Sequence, residues 1–600
     1  PPPAALHPYR SCGQFTAVAR RRSLERLAVF SRGLPVFAPP ATGPADARAS
    51  TPEGATGGAQ PPVDTSGTNV QEAGVDEPDV TKNDGRHLYV LAAGAVQVLR
   101  LGGERPERVG RLVLPGLVPQ EMLLAGDRLV VFASVSALAG GRGRASRLTD
   151  VIMPPQEAVL ALVDVSDPAN PRQLERLTID GTLVAARLTA GSVRVVTSSS
   201  PGPEGMVYPS APTMRQRTLA LRHNRRVVRR ARAAAFLPRA SHWKLGAGTA
   251  RGSLVSCDQV SRPAVDSGTG VLSVLTIDPA RGLEPVDRDA VQTNAQTVYA
   301  SEGALYVATS RWTGSYSAAD GGTAGTWTLI HRFDTSAPGV TTYTASGAVP
   351  GDLIGQFAMS EQDGNLRVAS TTDPGWMSGQ RTQQSFVTVL QPRGPVLERI
   401  GRVGGLGHGE RIYAVRFLGA MGYVVTFRQT DPLFVVDLSD PSAPRLRGEL
   451  QIPGYSAYLH PVGDGLLLGV GQDADPQTGR VSGTQVSLFS VADPDHPARL
   501  AHMRIGGWSG AEYDHHAFLW WPATGLALLP SETEDDGGAV GVQVAGGALQ
   551  RVGTIRHPGT DRPALVRTVV AGDAVLGLFS DGLMVSELPT LAPRAWVPLD

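Results

Sequence analysis

Residues 410–454 read ERIYAVRFLGAMGYVVTFRQTDPLFVVDLSDPSAPRLRGELQIPG. The stretch divides into four short apolar runs, IYAVRFLG, YVVTFR, LFVVDL and RLRGELQI, each of strand length and separated by turn chemistry. Gly422 follows the first turn. Between the third and fourth runs, Ser439-Asp440-Pro441-Ser442-Ala443-Pro444 suits a type I turn, because proline presets φ and the preceding polar side chain accepts a backbone N–H. The unit is therefore one small four-stranded sheet.

Variants of this unit recur. The turn appears as VDVSDPANP at 163–171, VDLSDPSAP at 436–444 and SVADPDHP at 490–497. Strand-turn-strand patterns such as HLYVLA with AVQVLRL, EMLLAGDRLVVFA, LVAARLTAGSVRVVTSS, TVYASEGALYVATSRW, YSAYLHPVGDGLLLGVG and LVRTVVAGDAVLGLF extend the repeat from Thr68 to the end of the chain. Nine units can be marked. Four short strands per unit, many times over, predict an all-β β-propeller of eight or nine four-stranded blades, in which each sheet is covered only by its neighbours and the ring must close. Seventy glycines, 47 prolines and 18% charged residues in 600 positions suit such a turn-rich protein.

Two segments depart from the repeat. Residues 1–40 include an expected helix at 14–30, with Phe15, Val18, Leu24, Leu27 and Val29 as apolar positions and an Arg20-Arg21-Arg22 face. Residues 41–67, rich in Ala, Gly, Pro, Thr and Ser, read as a flexible linker, and 68–600 as the propeller. The third unit carries an insertion at about 201–255 whose middle, TMRQRTLALRHNRRVVRRARAAAFLP, reads as a basic helix. Such a helix either exposes a solvated Arg face beside the ring or binds polyanions or the anionic lipid of a membrane surface.

Charge and cysteine usage bound the partners. Fifty-five basic residues balance 55 acidic ones, so the composition has no nucleic-acid signature and no nucleic-acid partner is expected. Cys12 and Cys257 are the two cysteines. They are buried thiols in a reducing compartment or a single disulfide outside it. No apolar run has the length of a membrane helix. The chain starts at Pro1 without Met, and a removed signal peptide is the natural expectation.

Several blocks together carry a family resemblance: TNVQEAGVDEPDVTKNDGRHLYVL (68–91), LVSCDQVSRP (254–263), ERIYAVRFLG with VVTFRQTDPLFVVDLSDP (410–441), IPGYSAYLHP (452–461) and YDHHAFLW (513–520). With RSCGQF (10–15), the chain resembles the secreted bacterial and archaeal β-propeller domain family, distantly related to WD40-type propellers. His516 stands where that pattern has Lys after YDH. The resemblance implies a secreted or surface-tethered, extracytoplasmic protein, sometimes held by a lipid anchor. It also implies that Cys12 and Cys257 occupy the family's cysteine positions and pair. It implies no particular activity.

Three groups of residues carry candidate chemistry. Glu72, Asp76, Glu77, Asp79 and Asp84 crowd the entry to the first unit; Asp76, Glu77 and Asp79 are the candidate Ca²⁺ ligands, against the plainer role of capping and turn formation. The run from Asp473 through Asp475 to Gly479 is a weaker calcium candidate. His515 and His516, beside Tyr513 and Asp514 and with His460 from the preceding unit, suggest a transition-metal site. Adjacent residues on a strand point to opposite faces, so His515 and His516 are not expected to bind one ion together. Finally, aligning the units puts Arg187, Arg416 and His460 at equivalent places on the innermost strands. With Asp514 and His515 they are the candidate ligand-binding residues of the central channel, suited to an anionic ligand or else to pairing with carboxylates such as Asp514 or Glu121.

No G-x-S-x-G elbow, H-E-x-x-H pair or phosphate loop is present; GGLGHGE at 404–410 lacks the lysine and the spacing. The leading expectation is thus a binding or scaffolding module for a protein, glycan or envelope component. A flat aromatic face, drawing on Trp312, Trp376, Trp508, Trp520 or Trp521, would serve it. The alternative is a hydrolase or metal-dependent oxidoreductase with its site at the channel, since propeller enzymes assemble their sites across blades.

Overall fold

In the computed structural model, residues 4–31, 65–135, 156–208, 213–265, 268–294, 297–312, 325–372, 383–427, 430–475, 478, 480–533, 536–559 and 563–600 are described. The fold is all-β and propeller-like. The unit at 410–454 folds as its pattern predicts. Arg411–Leu418, Met421–Phe427, Thr430–Asp437 and Arg445–Pro453 pair antiparallel in chain order. Sheets at 81–113, 455–504, 519–556 and 567–598 have the same order.

The recurring turn does more than reverse the chain. Asp437 accepts from both the backbone N–H and the hydroxyl of Ser439, at 2.9 and 2.6 Å, and Asp164 holds Ser166 likewise. The proline carbonyl in each turn then presses on a glycine of the preceding sheet's outer strand: Pro168 on Gly110, Pro441 on Gly401, Pro494 on Gly448. A side chain at any of these glycines would meet that carbonyl. The turn is thus a contact between neighbouring sheets, which explains why it repeats with so little change.

Sheet faces are buried by their neighbours. Tyr89, Val96 and Val98 of the first sheet pack on Leu129, Val131 and Val163 of the second. At the other end of the chain, Leu576, Leu583 and Val585 pack on Leu88, Val90 and Leu99. Gln97 adds a hydrogen bond of 2.7 Å to the carbonyl of Leu599. The last sheet therefore closes on the first.

Not every sheet keeps four strands. The insertion in the third unit contributes α2 (Met214–Arg230), following α1 (Cys12–Ser31) in chain order, and then a hairpin of Arg239–Lys244 and Gly248–Ser253. That hairpin extends the second sheet by pairing with Arg172–Asp180. Leu6–Pro8 pairs with Val260–Pro263, extending the third sheet to six strands. A single parallel bridge, Ser346 to Val396, joins the strands of 297–350 and 359–406 into one eight-stranded sheet. Additional strands cover edges that would otherwise expose unpaired N–H and C=O groups.

Helix α1 contains the whole of the helix expected at 14–30 and buries Phe15, Val18 and Ala19 in the core shared by the second and third sheets. The Cys12–Cys257 disulfide fastens its first turn, with Cα atoms 5.3 Å apart. The expected Arg20–Arg22 face is partly engaged: Arg20 donates to the carbonyl of Ala231 at 2.7 Å and Arg22 is buried. The linker expected at 41–67 lies outside the described residues up to position 64.

Candidate functional site

The acidic entry segment does not lie beside the ring; it crosses the middle. Asn69 donates to the carbonyls of His515 and Phe518, at 2.8 and 3.2 Å, and Gln71 to that of Met359 at 3.0 Å. Glu72 accepts from the Tyr299 hydroxyl at 2.8 Å. Asp76 pairs its backbone with Leu188, and Asp79 with Met122. Polar groups of an extended segment must be satisfied when buried, and here the inner strands of several sheets satisfy them.

Glu77 is the hub of this segment. Its carboxylate lies 3.7 Å from Arg187 and accepts from Gln356 at 3.1 Å. It lies 3.1 Å from Nε2 of His515 and 3.3 Å from Nε2 of His516. All five side chains are essentially buried. Burial alone would raise the Glu77 pKa, but Arg187, His515 and His516 hold it well below the usual range. Burial, reinforced by the neighbouring His516, lowers His515 to about 4. For His516 burial opposes protonation, yet Asp514 and Glu77 raise it to about 10.

The expectation that the two histidines face apart is overturned. His515–Ala517 is a 3-10 turn, not a strand, and the two rings lie with centroids 3.8 Å apart. One donor atom each from Glu77, His515 and His516 fits within 4.8 Å. Donors around a tetrahedral ion with bonds of about 2.0–2.1 Å lie about 3.3 Å apart, close to the two Glu77–His separations. Two imidazoles and one carboxylate suit a transition metal rather than Ca²⁺, which takes oxygen donors. Asp514, 3.4 Å from Nδ1 of His516, is placed to orient that ring.

The other sequence candidates are distributed as follows. Asp76 goes to Lys82 Nζ at 2.6 Å and Asp79 to Arg567 Nε at 2.7 Å, so the three calcium candidates Asp76, Glu77 and Asp79 serve three different cations and do not share an ion. Asp473 pairs with Arg504. His460 bonds the Tyr458 hydroxyl at 2.8 Å and stays outside the Glu77 cluster; burial and Arg416 hold it neutral. Arg187, Arg416 and His460 do lie on first strands of their sheets, each buried. Arg416 sits 5.7 Å over the Phe357 ring, its pKa lowered to about 10 by burial.

Asp514 binds Arg567 Nη2 at 2.6 Å. Arg567 and Gln356 are not among the sequence candidates. LVRT at 565–568 resembles AVRF at 414–417, and that likeness was the available signal for Arg567.

One mouth of the ring holds a cavity of about 890 Å³. Phe518, Trp520, Trp521 and Pro461 supply apolar wall; Asn69, Asp76, Lys82, His460, His516 and Arg567 supply polar groups. The opposite side presents a smaller recess lined by Tyr413, Tyr455 and Tyr513. Trp508 is half exposed.

A family model described as "Beta propeller domain" matches residues 65–591. An uncharacterised protein of Methanocaldococcus jannaschii is 41% identical over 187 residues, 31% of this chain and 28% of that protein. One of Archaeoglobus fulgidus is 40% identical over 185 residues, 31% of this chain and 27% of that protein. The matches thus span little more than a quarter of these relatives. Among solved structures, a putative 6-phosphogluconolactonase from Bacteroides uniformis has a TM-score of 0.32 at 14% identity, covering 55% of this chain and 92% of that one. Sqt1 from Chaetomium thermophilum has a TM-score of 0.34 at 13% identity, covering 54% and 78%.

Proposed function

The chain belongs to the beta propeller domain family, and we propose that it is an extracytoplasmic binding and scaffolding module that engages a protein, glycan or envelope ligand at the Trp520–Trp521 mouth. The observation that carries this reading is the path of residues 69–79. The protein's own carboxylates pair with Arg187, His515 and Arg567 at the middle of the ring, so recognition moves outward to the mouth. There, a cavity of about 890 Å³ combines aromatic walls with convergent polar groups, the composition expected of a ligand cleft. Stacking on indole rings beside amide and carboxylate groups suits a sugar or a peptide side chain.

The disulfide supports an oxidising, extracytoplasmic setting. We read the ring as nine four-stranded blades, dividing the eight-stranded sheet at its one parallel bridge. The test is retention of envelope polysaccharides on a glycan array, and of envelope proteins by pull-down, comparing the wild type with Trp520→Ala. Equal retention by both proteins would remove the cavity from the function.

One observation favours the enzyme reading: His516 belongs both to the Glu77 cluster and to the cavity wall. A metal held by Glu77, His515 and His516 would supply Lewis-acid or redox chemistry beside a bound ligand. Metal-dependent turnover that vanishes in His516→Ala, with His460→Ala also impaired, would select this reading over the binding module.

A further inference from the structure

Helices α1 and α2 pack against each other on the outside of the ring. Between them they carry eleven arginines against one glutamate, Glu25. The whole chain has no net charge, so this is a strong local segregation of positive charge. Helix α2 alone has seven arginines and no acidic residue. Among the described residues, no carboxylate forms an ion pair with any of these seven.

The helix is firmly seated. A capping box between Thr213 and Gln216 starts it, and Ala220, Asn224 and Val228 form its buried face. Asn224 exchanges two hydrogen bonds of 2.8 Å with the backbone of Val207. Arg20 of α1 grips the carbonyl of Ala231 just past its end. The opposite face is therefore held outward. It carries Arg215, Leu219, Arg222, Arg226 and Arg229, spaced at i, i+4, i+7, i+11 and i+14, on a single side of the helix.

Two arginines in the last turn would be enough to complement the helix dipole. Seven exceed that need. The apolar residues on the exposed side are the second observation: Met214 is 73% exposed and Leu219 54%. A phosphate backbone gains nothing from such side chains. A bilayer does, because its headgroups attract arginine while its acyl boundary accepts the apolar groups.

We propose that the outer face of α2, backed by α1, is a docking surface for a membrane bearing anionic headgroups. The rigid seat matters, since a surface that is already ordered loses little entropy on docking. Ionic strength must weaken the attraction, because the arginines are exposed.

The test is co-sedimentation of the full chain with vesicles of phosphatidylcholine alone and of phosphatidylcholine mixed with phosphatidylglycerol. The wild type is expected on the mixed vesicles, less so at high salt, and not on the neutral ones. Arg222→Glu, Arg226→Glu and Arg229→Glu together should lower partitioning on the order of a hundredfold. Met214→Ser with Leu219→Ser, which leaves the charge unchanged, should lower it several-fold. All five positions are exposed, so melting curves of the variants should match the wild type. Retention on neutral vesicles, no retention on either, or stronger capture by duplex DNA with Leu219→Ser without effect would each overturn the proposal.

Discussion

Glu77 and His515 stand 438 positions apart in the chain and meet at 3.1 Å in the middle of the ring. The contact joins the entry segment to a turn in the last third of the sequence. Arg187, from a third sheet, completes the group. Glu77 thus links distant sheets while neutralising cations that are buried with it.

Removing that carboxylate should therefore be costly. In Glu77→Gln the shape is kept but Arg187 loses its counter-charge and His516 keeps only that of Asp514. Breaking a buried pair from one side costs about 3–5 kcal/mol. Chemical denaturation should show a loss of that order. A loss below about 1 kcal/mol would mean that water reaches the cluster and solvates the remaining cations.

Metal content is a separate question from stability. The metal reading predicts that protein prepared without chelator or added metal contains about one equivalent of a transition metal by elemental mass spectrometry, lost in both His515→Ala and His516→Ala. His460→Ala should retain it, because His460 is engaged with Tyr458 and lies outside the donor group. Metal-free wild type would leave Glu77, His515 and His516 as a buried ion-pair cluster alone.

The architecture was legible in residues 410–454 because strand periodicity and turn chemistry are local. Even the inward alignment of Arg187, Arg416 and His460 was accessible, since repeated units share a register. The crossing of residues 69–79 was not. Its partners, among them Met122, Leu188, Tyr299, Met359 and His515, are chosen by ring closure, and no local pattern encodes that choice. The pairing of the two histidines was not legible for a similar reason: a strand through YDHHAF would turn them to opposite faces, whereas Asp514 caps a 3-10 turn there by accepting from the His516 N–H. The family resemblance implied the Cys12–Cys257 pair, which spacing alone left open.

That disulfide fastens α1 to the third sheet, and its effect should be local. Reduction, or Cys12→Ser with Cys257→Ser, removes a cross-link closing a loop of 245 residues. Native disulfides typically contribute about 2–5 kcal/mol. Hydrogen exchange should lose protection across 12–31 and in Val260–Pro263, while strands such as Met421–Phe427 keep theirs. Uniform loss across all sheets would show instead that α1 is needed for the ring to stay closed.

Asp289 gives the fold a pH dependence near neutrality. It sits on Asp287–Val291, where burial, with Asp287 nearby, raises its pKa to about 7. One of its oxygens is buried without a hydrogen-bond partner among the described residues. The unfolded chain releases this proton at about pH 3.9, so the folded state binds more protons between these values. Its stabilising contribution is complete below the unfolded pKa and is lost as pH rises through about 7. Asp289→Asn cannot titrate. Its melting temperature should therefore gain on the wild type as pH rises from about 5 to about 7 and level off above that. A constant difference across that range would show that the carboxyl is solvated and already ionised at the acid end.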